Sequence, residues 1–399
     1  MKYIDFKKTD GHATISFAGR LETSVTTPVQ EEIIAVLEES PEVKEVTWDG
    51  NGLTYISSSG LRLMLFLKKR FPAFRIVNVC PEVYSVFEMT GFTKMISIER
   101  GLRQVCVDGC EEIGRGGVGV VYCVSDDTIV KVFRPGTSMD DIKKEIDMSK
   151  EAFVLGMPTA ISFDIVRVGE QYGLVYELLK AQTLSHCIKN HPERIDEYAR
   201  LYAHLFQQLH SIKVSPLSSI PNGHKNDEKS IDYIRRYFDD EWVDMLLQIH
   251  RAIPLGDRLM HCDLQTKNAM VQGDELMLID MGEVSYGHPL IDLAHAYSAM
   301  VGLVGNYEDI IGIPEALGKE VWNRMINYYF AGLDEKTKAH RCEQIRVASY
   351  IRNFSWLSLS DSFPEEVVES CRGTFVERVK NQWDSIVEIS QTFTDWTLE

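Results

Sequence analysis

The run His261-Cys262-Asp263-Leu264-Gln265-Thr266-Lys267-Asn268 places a carboxylate and an amide five residues apart. A loop can use that spacing to aim both side chains at one point. Asp263 can then orient a hydroxyl or amine and take its proton, while Asn268 offers an oxygen to a hard cation. A polar turn before a strand would use the same residues. Asp280 closes the apolar stretch Leu278-Ile279 and stands two residues before Gly282. A carboxylate there can face a cation that bridges phosphates, or it can cap a turn. Further upstream, Gly114-Arg115-Gly116-Gly117-Val118-Gly119-Val120-Val121 fits G-x-G-x-x-G-x-V. Glycines in such a hairpin let backbone N–H groups approach a phosphate chain without Cβ clashes. A dinucleotide fingerprint would instead open a helix, whereas VVYCV here reads as a strand. Lys131 interrupts the apolar strand Ile129–Val132, where an ammonium can neutralise phosphate oxygens or simply sit at a solvated edge. It needs a carboxylate partner. Glu145 on the following helix is the better placed, and Glu151 is the second choice.

The elements that must carry these residues follow from periodicity. Over the first hundred residues, strands at 3–6 and 13–17 flank the turn Asp10-Gly11, and a helix over 28–39 gathers Ile33, Ile34, Val36 and Leu37 on one face. A strand over 43–48, a helix after Ser57-Ser58-Ser59-Gly60, a strand over 75–79 and a helix over 83–89 complete a compact α/β domain. From residue 102 strands return at 105–107, 118–124 and 128–133. A helix over 139–155 and strands near 165–167 and 173–178 follow. Beyond 184 the pattern is mostly helical, interrupted by a strand-like stretch at 269–279. A β-rich lobe followed by a helical lobe is expected. The domain reading is therefore 1–100, then 101–180 and 181–399 as the two lobes.

Composition narrows the partners. A net charge of -17 argues against a phosphate-backbone binder, so no nucleic-acid partner is expected. It fits a solvated acidic surface, or a cationic substrate. The eight cysteines show no zinc-ligand spacing and read as reduced thiols. MKYIDFKKTDGH has no apolar signal core and no run is long enough to span a bilayer, so a cytoplasmic protein without a membrane partner is expected.

Taken together, the glycine loop, strand lysine, H-x-D-L-x-x-x-N loop and D-x-G motif resemble the protein-kinase-like superfamily over about two hundred residues. The resemblance implies ATP and Mg²⁺ as cofactors. It implies nucleotide contacts at Gly114, Gly116, Gly119, Val121, Lys131 and Glu177, and metal ligands at Asn268 and Asp280. Asp263, Lys131 and Glu145 would be the catalytic set, with His261 and Asp292 as structural support. Cys262 stands where peptide kinases carry an arginine that pairs with a phosphorylated segment. Only nine residues separate Gly282 from Asp292, which leaves no A-P-E element and no platform for a peptide. The run Gly287-His288-Pro289-Leu290-Ile291-Asp292-Leu293-Ala294 is instead similar to the aminoglycoside/choline-type phosphotransferases, in which Asp292 would brace the catalytic loop. His210, in QLHSI, fits the Leu-His helix end of those families.

That branch implies transfer of the γ-phosphate of ATP to a hydroxyl of a small-molecule acceptor. The acceptor would lie against parts of 214–258 and 293–399, where Tyr233, Tyr237, Phe238, Asp239, Asp240, Glu241, Trp242, Trp322, Tyr328 and Tyr329 form an acidic aromatic set. Those faces can bind an amine or merely pack. Residues 1–98, with Gly19-Arg20-Leu21-Glu22, the Ser57-Ser58-Ser59-Gly60 turn and VFEMTGFTKMISI, resemble the STAS, or anti-sigma factor antagonist, family. This implies a regulatory domain that meets a protein partner, and Ser58 as a regulatory phosphosite. Ser57 replaces the family's aspartate. Physically, a phosphate is tolerated at a helix N-terminus, and Ser58 or Ser59 can equally be the helix N-cap. A second reading makes the whole chain a signalling protein, in which the kinase-like module controls partner switching through Ser58.

Overall fold

Asp10 and Gly11 take positive φ, 46° and 81°, the backbone that a two-residue hairpin requires. They join β1 (Asp5–Thr9) to β2 (His12–Ser16), so the first strand lies two residues later than its apolar pattern predicts. A computed structural model describes residues 2–116, 118–302, 307–359 and 363–398. Packing divides the chain into two units, one of Met1–Tyr122, Lys131–Gly136 and Asp164–Leu174, the other of Cys123–Val130, Thr137–Phe163 and Val175–Glu399.

In the first unit, β3 (Gly19–Leu21), α1 (Thr23–Glu38), β4 (Glu45–Asp49), β5 (Leu53–Ile56), α2 (Ser58–Arg70), β6 (Arg75–Val79), α3 (Pro81–Met89) and β7 (Ser97–Arg100) follow. Their sheet runs β1-β2-β4-β6-β7, antiparallel only at its first pair. The α1 helix starts five residues before the predicted start and contains Pro28. The proline removes one backbone bond, but Thr26, Val29, Ile33 and Leu37 bury one continuous stripe across it. Ile34 and Val36 are only half-buried. At the serine turn, Ser57 caps α2 and accepts from the Gly60 N–H at 3.3 Å. The cap is therefore neither Ser58 nor Ser59, because Ser57 alone has the extended backbone of a cap, φ -87° and ψ 171°. Ser58 is the first helical residue and is exposed.

The next strands are β8 (Arg103–Gln104), β9 (Glu111–Arg115), β10 (Gly119–Ser125) and β11 (Thr128–Phe133), then α4 (Met139–Val154), β12 (Ser162–Val168) and β13 (Gln171–Glu177). They form a six-stranded sheet in the order β8-β12-β13-β11-β10-β9. The helical part comprises β14 (Gln182–Thr183), α5 (Leu184–Asn190), α6 (Ile195–Ser211), α7 (Gly223–Tyr233) and α8 (Asp240–Ala252). It continues with β15 (Arg258–Met260), β16 (Ala269–Gln272), β17 (Glu275–Leu278), β18 (Ser285–Gly287), α9 (Pro289–Tyr297) and α10 (Tyr307–Ile311). Helices α11 (Glu315–Tyr329), α12 (Glu335–Ser355), α13 (Glu365–Arg378) and α14 (Trp383–Gln391) end the chain.

The single strand-like stretch predicted at 269–279 is a hairpin, β16 against β17, turned at Gly273. Pairing of β15 with β18 sets Met260 opposite Ser285 and so fixes both ends of the segment that holds the candidate residues. Beneath it, α6 supplies the fully buried rings of Tyr198, Tyr202 and Phe206. Among the described residues no helix is long and apolar enough to cross a membrane.

Candidate active site

The loop from His261 to Asn268 leaves β15 through Cys262, whose φ of 61° is left-handed. A non-glycine residue held there costs roughly 1–2 kcal/mol, so its surroundings must enforce it. Asp292 does much of this from α9. One of its carboxylate oxygens accepts the Cys262 N–H at 2.8 Å. The other accepts the His261 N–H at 3.3 Å and His210 Nε2–H at 3.0 Å. Burial alone would raise the Asp292 pKa. The His210 hydrogen bond, with the Cys262 N–H, holds it below the usual aspartate value instead. His210 in turn accepts the Tyr329 hydroxyl at Nδ1, 2.8 Å away. The His261 ring is fully buried, with Nε2 3.2 Å from the Ile279 carbonyl and Nδ1 accepting the Asp263 N–H at 3.3 Å. His261 thus ties the start of the loop to the residue before Asp280.

Past this brace the side chains that can do chemistry meet. Asn268 donates its amide to Asp263, at 2.8 Å to the carboxylate and 2.9 Å to the carbonyl. Its Nδ2 is thereby committed, which leaves Oδ1 as the atom with ligand chemistry. The Leu264 carbonyl accepts the buried Tyr202 hydroxyl, and Thr266 donates to the Ile311 carbonyl at 2.6 Å. Burial raises the Asp263 pKa, Arg352 and His261 oppose it, and Asp280 and Glu283 add to it. Asp280 is exposed and left-handed, φ 61° and ψ 77°, at the head of a 3₁₀ turn through Glu283. Glu145 on α4 is buried and accepts the Tyr176 hydroxyl at 3.1 Å. Burial, then Glu145 and Asp280, push that phenol well above its ordinary pKa. Glu151 accepts Ser218 Oγ–H and the Ser219 N–H, the latter at 2.9 Å. Its position further along α4 turns it toward that loop.

The glycine loop lies in the first unit. Gly119 lies against the β11 backbone, where a Cβ would stand 2.2 Å from the Val132 carbonyl oxygen, so only glycine fits. Gly116 donates its N–H to the Gly119 carbonyl at 2.9 Å and has open space around it. Gly114 faces Val121, and Gly117 lies outside the described residues. Lys131 Nζ is 5.4 Å from the centre of the Phe133 ring. At the end of β13, Glu177 accepts the Ile161 N–H at 3.2 Å.

Several residues at this site carry no sequence signal. Arg352, on α12, is half-buried among the carboxylates of Glu283, Asp263 and Asp227, which raise its pKa against the effect of burial. His295 Nδ1 lies 2.9 Å from the Cys262 carbonyl, and its Nε2 lies 3.2 Å from Asp227 on α7. The Cys262 thiol meets Ser285 Oγ at 2.9 Å, and burial followed by nearby carboxylates pushes it well above the usual thiol pKa. A neutral thiol suits this packed position. The aromatic residues of the expected acceptor face mostly pack. Trp242 stacks on Phe375 at 4.8 Å, Phe238 meets Phe354 and Phe375, and Trp322 meets Tyr297.

Hard oxygen donors at Asn268 and Asp280 suit Mg²⁺, which keeps waters and phosphates among its ligands. Among the described residues no group of three or more His, Cys, Asp or Glu side chains could hold a metal alone. A six-stranded sheet, a helical lobe and an H-x-D loop braced by a buried aspartate define a phosphotransferase of the protein-kinase-like class. Residues 110–318 match the model of the phosphotransferase enzyme family (APH), just over half of the chain, and residues 3–105 match the STAS domain. The chain belongs to that phosphotransferase family and carries an N-terminal STAS domain. Membership supports a general ATP-dependent phosphotransferase function.

Similar solved structures include ADP-bound aminoglycoside phosphotransferase APH(2'')-Ib, at 14% identity and TM-score 0.45, with 78% of this chain and 98% of that one covered. A choline/ethanolamine kinase family protein from Mesorhizobium loti is 14% identical, with TM-score 0.46 and coverage of 71% and 92%. A thermostable mutant of aminoglycoside phosphotransferase APH(4)-Ia, in its apo form, is 11% identical, with TM-score 0.48 and coverage of 70% and 94%. No curated protein matches the sequence.

Proposed function

We propose that this chain transfers the γ-phosphate of ATP to a hydroxyl of a small metabolite, with residues 101–180 and 181–399 as its two lobes. The observation that supports this best is the Asp263–Asn268 pair, at 2.8 Å, on a loop whose backbone is fixed by Asp292. Asp263 orients the acceptor hydroxyl and takes its proton as the oxygen forms its bond to the γ-phosphorus and ADP departs. Asn268 Oδ1 and Asp280 would hold Mg²⁺, which supplies charge neutralisation on the phosphates. Gly114, Gly116, Gly119, Val121, Lys131 and Glu177 serve nucleotide binding in this reading, with Glu145 steadying Lys131. The short segment between Gly282 and Asp292 favours a small acceptor over a peptide.

Incubation with ATP, Mg²⁺ and a panel of alcohols, amino sugars and quaternary amino alcohols tests this by ADP release. One acceptor should raise the rate. Asp263→Asn should lower turnover by at least about 10³-fold while nucleotide binding stays within about threefold. Full activity in that variant would remove Asp263 from its role. The STAS domain is proposed to regulate through a protein partner, with Ser58 as phosphosite, because Ser58 is exposed at the first position of α2. Its intact mass after the same incubation, unmodified, would count against that part.

A further inference from the structure

A neutral imidazole has one N–H and one bare nitrogen. His295 faces two acceptors. Its Nδ1 lies 2.9 Å from the Cys262 carbonyl, which has no proton to give, and its Nε2 lies 3.2 Å from Asp227 Oδ2. Both side chains are buried, His295 at 6% and Asp227 at 7% exposure. Burial would raise the Asp227 carboxyl, but its bond to His295 and the Arg352 guanidinium of α12 hold it below the usual range. An ionised Asp227 cannot donate to Nε2, so both bonds require protons on both ring nitrogens.

The partner of this bond matters. Cys262 is the left-handed residue immediately before Asp263. Its N–H is held by Asp292 and its carbonyl by His295. These two α9 residues are three apart, on one face of the helix. The Asp292 carboxylate therefore grips the donor of this residue and the His295 ring grips its acceptor. Together they set the orientation of the peptide that leads into Asp263.

We infer that His295 is a doubly protonated positioning residue which, paired with Asp227, fixes the Cys262 carbonyl and so the aim of Asp263. The inference rests on the reading of Asp263 as the group that orients the acceptor. It adds a second brace, made from α7 and α9, to the one that Asp292 supplies.

The test uses the full chain in two independent arms. In the first, nitrogen NMR of protein labelled at histidine, assigned through His295→Gln, reads the ring directly near neutral pH. Directly bonded protons on both ring nitrogens are expected, and Asp227→Asn should remove one of them. A bare ring nitrogen in the wild type would overturn the inference, whether the missing proton sits on Asp227 or is absent. In the second arm, ADP release from MgATP is followed with water as acceptor. His295→Leu should lower kcat by about 10- to 100-fold with KM for ATP within about twofold, as expected when a reacting group is slightly misaimed. His295→Gln keeps one donor for the Cys262 carbonyl and should recover part of that loss. Wild-type kcat in a folded His295→Leu variant, or equal losses in both variants, would overturn it. If His295→Leu does not fold, His295→Gln and Asp227→Asn carry the kinetic arm. If the wild type releases no ADP with water or with any member of the acceptor panel, the phosphotransferase reading fails, while the ring protons still decide the protonation of His295.

Discussion

Asp292 has no exposure to solvent, yet it bears a full charge in a protein interior, which is costly unless both oxygens are hydrogen-bonded. Two backbone N–H groups and one imidazole N–H supply those bonds. Because Nε2 of His210 must carry its proton toward Asp292, Nδ1 is left as the acceptor for Tyr329. Asp292→Asn replaces one acceptor oxygen by an NH₂ that would face donors. A loss of about 3–5 kcal/mol in denaturant melts is expected, with turnover falling as the loop loosens. Tyr329→Phe removes only the outer end of the chain and should cost about 1 kcal/mol. If the two variants melted alike, the Asp292 brace would not be what holds the loop. At this scale the motif positions were legible: Asp263, Asn268, Asp280, Asp292 and His210 stand in short runs with fixed spacing. Asp227, His295 and Arg352 were not. His295 lies 33 and 68 residues from its partners Cys262 and Asp227, Arg352 lies 69 to 125 residues from Glu283, Asp263 and Asp227, and an aspartate in the polar helix α7 has the local pattern of a surface residue.

Strand β10 begins at Gly119, and the close passage of β11 beside it is the reason for the residue. An added Cβ would lie 2.2 Å from the Val132 oxygen and 3.0 Å from its carbonyl carbon. Backbone cannot swing aside as a flexible side chain can, so Gly119→Ala must push the strand pair apart. A cost of about 1–3 kcal/mol is expected, together with weaker nucleotide binding in a titration with ATP. Gly116 has nothing within 4 Å of a built Cβ, so Gly116→Ala should stay within about 0.5 kcal/mol of wild type. Equal effects from the two glycines would remove the packing argument. Long periodic elements such as α4 and α6 were readable from sequence because a stripe of apolar residues repeats through each. The three-residue strands β15 and β18 were not, since Arg258-Leu259-Met260 and Ser285-Tyr286-Gly287 are too short to show a period. They exist because they pair with each other, a non-local cause.

For the molecule as a whole, acid should act first through histidines and only later through carboxylates. His250 and His288 are buried, and burial pushes both down to about 4 from an ordinary value of 6.5. Asp227 opposes the effect at His250, and the Trp396 carbonyl opposes it at His288. The folded state therefore binds fewer protons than the unfolded chain between about pH 6.5 and 4. Stability from these two groups is fully present above that window and is lost as pH falls through it, up to ~3 kcal/mol for each. Asp227 and Asp292 are held below their usual value, so their contribution disappears at lower pH still. A net charge of -17 works in the opposite direction, because acid relieves its repulsion. Most of that charge is exposed and screened within about 8 Å at physiological salt, whereas the two rings are shielded from water. The buried rings should dominate, and the melting temperature should fall from pH 6.5 to 4.5 in ~0.15 M salt. His288 accepts the Leu290 N–H as the cap of α9, a role asparagine can keep. His288→Asn should therefore flatten the stability profile by about half in that window. A flat wild-type profile, or an unchanged slope in His288→Asn, would show that surface repulsion rather than buried imidazole sets the acid response.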